Sequence, residues 1–184
     1  MISSENTEPP YDKFEDVYGI LPVQGWLTRA EARLLWDEAR KTEGAILEVG
    51  CYQGRSTVLL ASLKRPVHSV DPIEGFTTDY RPEEIEARFR QNILDRQLEE
   101  YVLFHRMRIE NWPVRSVGFA YLDGDHTRLG TVNQISVACR CMPKVIAIHD
   151  IAEGGDGLAI KEVALDMLGP WDARVERLAV WRRL

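Results

Sequence analysis

The stretch "ILEVGCYQGRST", residues 46–57, decides how the rest of the chain is read. Four residues suited to a buried strand run straight into Gly50, and Gly54 follows four positions later. Such glycines let the backbone approach a ligand closely or adopt positive φ. A helix starting near Arg55 aims its free N–H groups at the same place. Glu48 adds a carboxylate inside the strand, where a hydrophobic sheet has no use for one. The pattern predicts a strand–turn–helix unit shaped around a small molecule.

Outward from this unit the chain alternates. "VHSV", "YVLFH", "VGFAYL" and "VIAI" read as short apolar strands. Helices are predicted from about Arg29 to Lys41, in "STVLLASLK", in "PEEIEARFRQNILDRQLEE" with a break near Asp95, in "LGTVNQISVACRC" and in "LAIKEVALDML". Thr28 and Glu31 form a capping box for the first of these, and Gly44 closes it. The tail "ARVERLAVWRRL" alternates like a final strand pair. Short apolar strands separated by helices predict an α/β fold: a doubly wound, mostly parallel sheet covered on both faces, Rossmann-like, in a single domain. Residues 21–184 are expected to form that domain; residues 1–20, polar and with Pro9 and Pro10, are expected to be an arm that is disordered, or ordered only against a partner or ligand.

In such sheets ligands bind beyond the carboxyl ends of the strands, where strand order reverses. Those ends carry Glu48 with Gly50, Asp71, Asp123, and His149 with Asp150. Asp71 lies 21 positions after Gly50, the usual interval for an acid that grips ribose hydroxyls. A dinucleotide site needs glycines at the first, third and sixth positions of the turn. Here those positions are Gly50, Tyr52 and Arg55, which disfavours a nicotinamide dehydrogenase. A ribose ligand without pyrophosphate, carrying an amino group or cation opposite Glu48, fits better: S-adenosylmethionine.

"LEVGCYQGRST", "SVDPIEG", "AYLDGDHT" and "IAIHDI" together resemble the class I S-adenosylmethionine-dependent methyltransferases, and within them the macrocin O-methyltransferase and cephalosporin-hydroxylase-like group. The resemblance runs from about Leu27 to Leu168. It implies a cofactor site of Glu48, Gly50, Cys51, Tyr52, Gly54, Ser56, Asp71 and Asp123, with Cys51 packing beside the cofactor and adenine contacts near Met107 to Glu110. It implies a divalent metal, magnesium or a transition metal such as manganese, held by Asp123, His149 and Asp150. Relatives often have an acid or amide at the position of His149, and magnesium prefers oxygen. An imidazole there suits manganese, iron, cobalt or zinc, or else stands behind the ligands. His126, three residues after Asp123, falls where related enzymes place a general base. The implied reaction is O-methylation of a small hydroxylated molecule such as a sugar, glycoside or polyketide, catalysed by a homodimer. The alternatives are metal-independent N- or O-methyl transfer, or a non-catalytic cofactor-binding protein of the same fold.

The bulk numbers agree with this reading. The 184 residues suit one domain with a sizeable core. A net charge of −6, from 29 acids and 23 bases, argues against nucleic acid as a partner. No apolar run approaches a bilayer span, so no membrane partner is expected. The three cysteines, Cys51, Cys139 and Cys141, form no disulfide framework, and the first residues lack a secretory pattern; both fit the cytoplasm. Trp26, Trp36, Trp112 and Trp171 read as core or interface residues. The stretch 74–84, with the N-terminal arm, is expected to cover the acceptor and to become ordered on ligand binding.

Overall fold

The computed structural model describes residues 13–22, 24–74 and 80–183. The covering role expected of the N-terminal arm and of the stretch 74–84 falls largely on residues 1–12 and 75–79, which lie outside the described residues.

Among the described residues seven strands form one sheet: β1 (Ile46–Val49), β2 (Val67–Val70), β3 (Val102–His105), β4 (Phe119–Leu122), β5 (Val145–Ile148), β6 (Ala173–Val175) and β7 (Leu178–Arg182). Their order is β3-β2-β1-β4-β5-β7-β6. The first five are parallel, with Ile46 opposite both Val67 and Phe119, while β7 runs antiparallel to β5 and to β6. Strand order reverses between β1 and β4, which opens the cleft where such sheets bind ligands. β1, β2, β4 and β5 are buried throughout, which explains the unalternating, largely apolar sequences of β1, β4 and β5.

Among the described residues six α-helices cover the two faces: α1 (Phe14–Gly19), α2 (Arg29–Ala39), α3 (Arg55–Ala61), α4 (Pro82–Leu94), α5 (Arg128–Arg140) and α6 (Asp156–Leu168). One apolar cluster joins α1, α2, α3 and α4 to the sheet through Val17, Leu35, Leu59 and Phe89. The other joins α5 and α6 through Ile135, Ala138, Ile160 and Val163. Among the described residues no helix is long and apolar enough to cross a membrane.

The expected capping box forms: Thr28 Oγ1 accepts the Glu31 N–H and Glu31 Oε2 accepts the Thr28 N–H. α2 ends at Ala39, short of the Lys41 expected from periodicity. Residues 14–19 differ from the expected arm. They are helical, and Phe14 and Val17 are buried in the core, Phe14 beside the Trp36 ring at 5.9 Å. Two apolar residues three apart were enough to dock one helical turn, a signal too short for periodicity to reveal.

Candidate active site

The turn after β1 is built by close approach. Gly50 has φ +83, and a Cβ there would sit 2.2 Å from the Asp123 carbonyl oxygen. The absent side chain lets the ends of β1 and β4 meet at the switch point. Gly54, φ +89, caps α3, and a Cβ on it would press on Phe89.

Glu48 is fully buried. Its carboxylate accepts three hydroxyls: Ser56 at 2.6 Å, Thr57 at 2.7 Å and Ser69 at 2.7 Å. Burial pushes its pKa up to about 7 against the pull of those three hydroxyls. The acid expected to face a ligand's amino group therefore ties the start of α3 to β2 from beneath the turn. Ser56 shares that role, and Cys51, 3% exposed, packs in the core. The three cysteines are free.

Asp71 reaches the same turn from β2. Its Oδ2 accepts the N–H groups of Cys51 at 2.9 Å and Tyr52 at 3.0 Å, and its Oδ1 accepts Ile73 N–H at 2.8 Å. Its own N–H donates to the His105 carbonyl, which places the end of β3 and the following Met107–Glu110 segment beside it. In that segment Ile109 is buried, and Glu110 accepts a hydrogen bond from Asn133 on α5. Tyr52, φ +44, turns its ring against Trp26 at 5.4 Å. Trp26, expected in a core or interface, is 69% exposed, whereas Trp36 and Trp112 are buried.

The second half of the site lies past β4 and β5. Tyr121 OH donates to Asp123 Oδ2 at 2.9 Å. Gln134 on α5 clamps the next loop, accepting the Gly124 N–H and donating to the Asp125 carbonyl. Asp125 accepts the Thr127 N–H, and Thr127 caps α5. This local network presents His126, whose Nε2 lies 3.3 Å from Asp150 Oδ2 and 3.8 Å from Asp123 Oδ1. Asp150 adopts φ +60, a conformation that non-glycine residues hold where the surroundings impose it.

His149 is buried beneath these groups. Its Nδ1 lies 3.3 Å from Asp123 Oδ1 and 3.6 Å from Asp150 Oδ1, and its Nε2 lies 3.2 Å from Glu31 Oε2. Neither nitrogen meets hydrogen-bond geometry, so the attraction is one of charge rather than aligned bonding. Burial works against the imidazolium, but Asp123, Asp150 and Glu31 outweigh it and raise the His149 pKa well above the ordinary histidine value. Burial likewise works to raise Asp123, and the two histidines hold it well below the usual carboxylate range. The Asp123 hydrogen bond raises His126 against its burial.

Asp123, His126 and Asp150 each offer one ligand atom within 4.8 Å of the others. A cavity of about 10 Å³ opens beside Asp123, His126 and His149, close to the room one water needs. Two carboxylates and an imidazole are a sound donor set for a divalent ion, so the residues fit the implied metal. The resemblance implies His126 as base and His149 as ligand; both histidines lie against the acid pair, one from the rim and one from below.

Two residues at the site escaped sequence reading. Arg177, at the β6–β7 turn, pairs with Asp150 Oδ1 at 3.0 Å. Glu31 was read only as a cap, yet it also accepts the Arg177 N–H at 3.0 Å and faces His149. Both come from elements far along the chain from Asp123, and no motif links them.

A five-stranded parallel sheet with an antiparallel hairpin at one edge, a glycine turn at its switch point and acids on the facing strand ends defines the class I methyltransferase fold. Residues 47–151 match the family described as methyltransferase domain. That match covers more than half of the chain, and the chain belongs to this family. A methyltransferase from Podospora anserina, solved with S-adenosylhomocysteine bound, superposes with a TM-score of 0.64 at 12% identity, over 97% of this chain and 91% of its own. An O-methyltransferase from Bacillus cereus in complex with the same molecule gives 0.59 at 16%, over 84% and 77%. A TDP-rhamnose 3′-O-methyltransferase of calicheamicin biosynthesis gives 0.60 at 16%, over 85% and 81%. At such identities the likeness is one of fold. No curated protein matches the sequence.

Proposed function

We propose that the protein transfers the methyl group of S-adenosylmethionine to a hydroxyl of a small molecule, assisted by a divalent metal. The observation that carries this is the pairing, across the switch point, of an acid locked onto the glycine turn with an acid–histidine cluster at the ends of β4 and β5. Family membership and the fold shared with cofactor-bound methyltransferases support it. The sugar-acting neighbour makes a sugar or glycoside hydroxyl the first acceptor class to try.

In this reading Asp71, held by three amides, receives the ribose hydroxyls, and Gly50 keeps the turn free of side chain. Asp123 and Asp150, with one of the two histidines, would hold a divalent metal. The metal, when bound, lowers the acceptor hydroxyl's pKa and fixes its place. The acceptor oxygen attacks the sulfonium methyl in line: a C–O bond forms, the C–S bond breaks, and neutral S-adenosylhomocysteine leaves. His126 Nε2 takes the hydroxyl proton, and its carboxylate neighbours favour the protonated product of that step. Alignment of the reacting groups contributes up to about 7–11 kcal/mol in the ideal limit.

One observation favours metal-independent transfer: Arg177 and His149 already offset charge on Asp150 and Asp123. Methyl-labelled S-adenosylmethionine incubated with a panel of hydroxylated sugars and aglycones tests both readings. Label in an ether product that vanishes on chelation and returns with metal supports the first. Undiminished labelling after exhaustive chelation supports the second, and no labelling of any acceptor counts against both.

A further inference from the structure

We infer that Glu31 is a positioning residue: from the first turn of α2 it backs His149, so that this imidazole joins Asp123 and Asp150 in selecting a transition-metal ion over magnesium. This rests on the metal-assisted reading above.

His149 is 4% exposed, and among the described residues neither buried ring nitrogen has a partner in hydrogen-bond geometry. A buried polar nitrogen normally finds a partner. Nδ1 points at the space between two carboxylate oxygens, 3.3 Å and 3.6 Å away, one on Asp123 and one on Asp150. A ring nitrogen that converges with two carboxylate oxygens is placed where a divalent ion would take over from the proton as their shared partner. Behind it, Glu31 Oε2 stands 3.2 Å from Nε2. Histidines that ligate metals characteristically give their other ring N–H to a carboxylate, which fixes ring orientation and tautomer.

Glu31 is suited to that work because it cannot move. It is 1% exposed, and its two oxygens accept the backbone N–H groups of Thr28 and Arg177 at 3.0 Å each. A capping box accounts for the Thr28 contact alone. It does not require the acid to be buried against the end of β5 and the β6–β7 turn. Thr28 also binds Glu176 at 2.8 Å, which pins the same turn to α2.

The donor set then decides the ion. Magnesium takes oxygen ligands in strict octahedral geometry. Imidazole nitrogen shifts preference toward manganese, iron, cobalt or zinc. With His149 as the ligand, His126 on the rim is left to handle the proton.

The test is calorimetric titration of the full-length protein with manganese chloride and with magnesium chloride, alongside titration with S-adenosylhomocysteine. Wild type should bind manganese about tenfold or more tighter than magnesium. Glu31→Gln keeps a residue type accepted in capping boxes but loses the carboxylate; it should weaken manganese about 10–100-fold. His149→Asp should reverse the preference toward magnesium. Thr28→Ala, which removes the cap and leaves His149 alone, should lower the melting temperature with the manganese-to-magnesium ratio unchanged. Should Glu31→Gln fail to fold, the contrast between His149→Asp and Thr28→Ala decides. Manganese affinity unaltered by Glu31→Gln, equal affinity for both ions in wild type, or no ion bound at all would overturn the inference. Retained S-adenosylhomocysteine binding in those cases leaves the methyltransferase reading standing, and its loss in wild type removes that reading as well.

Discussion

The Asp71 carboxylate accepts the Cys51 N–H at 2.9 Å, joining the end of β2 to the turn after β1. The same oxygen takes the Tyr52 N–H, and the other takes Ile73 N–H. One side chain thus fixes both walls of the proposed ribose site before any ligand arrives. Asp71→Ala should leave three N–H groups without that acceptor and cost roughly 1–3 kcal/mol of stability. Its larger effect should be on S-adenosylhomocysteine affinity, reduced at least about tenfold, the equivalent of 1.4 kcal/mol. Paired denaturant titration and calorimetry separate the two effects; unaltered affinity would remove Asp71 from the cofactor site.

Gly50→Ala should be worse tolerated than its chemistry suggests. The added Cβ meets the Asp123 carbonyl at 2.2 Å, and the position needs φ +83. Positive φ alone costs of order 1–3 kcal/mol for an L-residue. The clash adds to it by prising β1 from β4. A large fall in denaturation midpoint with loss of cofactor binding is expected, and a wild-type midpoint would show that the two strand ends do not approach as described.

Glu48 makes the stability depend on pH. Its folded pKa, about 7, stands above the ordinary 4.5 because burial disfavours the carboxylate. Between those values the folded state holds the proton more tightly than the unfolded chain does. Its contribution is therefore full below pH 4.5 and is lost as pH rises through about 7, amounting to roughly 3 kcal/mol. Glu48→Gln should flatten that part of the stability–pH curve. Urea midpoints measured from pH 5 to 8 in both proteins check it; parallel curves would assign the slope to other groups.

His126→Ala should slow methyl transfer about 10²–10⁴-fold, the range for loss of a general base. S-adenosylhomocysteine affinity should be unchanged, because His126 lies past β4, beside Asp123 and Asp150 and away from the Asp71 turn. Full turnover by the variant would return His126 to the role of metal ligand or loop anchor.

The fold was legible because burial leaves a strong mark. Strands covered on both faces read as apolar runs, and the Thr28–Glu31 pair announced α2. The turn after β1 was legible because only glycine accepts its geometry. What stayed hidden depends on contacts between distant elements. Glu48 read as a ligand contact because its sequence position cannot show that Ser56, Thr57 and Ser69 surround it. Glu31 satisfied a local rule at α2, which masked its reach to His149. Arg177 sits in a short hairpin turn whose placement beside Asp150 follows only from β7 running antiparallel to β5.

The central claim is that a ribose-bearing sulfonium lies across the ends of β1 and β2. Calorimetric titration of the purified wild-type protein with S-adenosylmethionine, and with S-adenosylhomocysteine, tests it most directly. The account predicts saturable one-to-one binding of both, with dissociation constants between about 1 μM and 1 mM, and at least about tenfold weaker binding of both by Asp71→Ala. Absence of binding by wild type at millimolar ligand, or equal binding by Asp71→Ala, would contradict it.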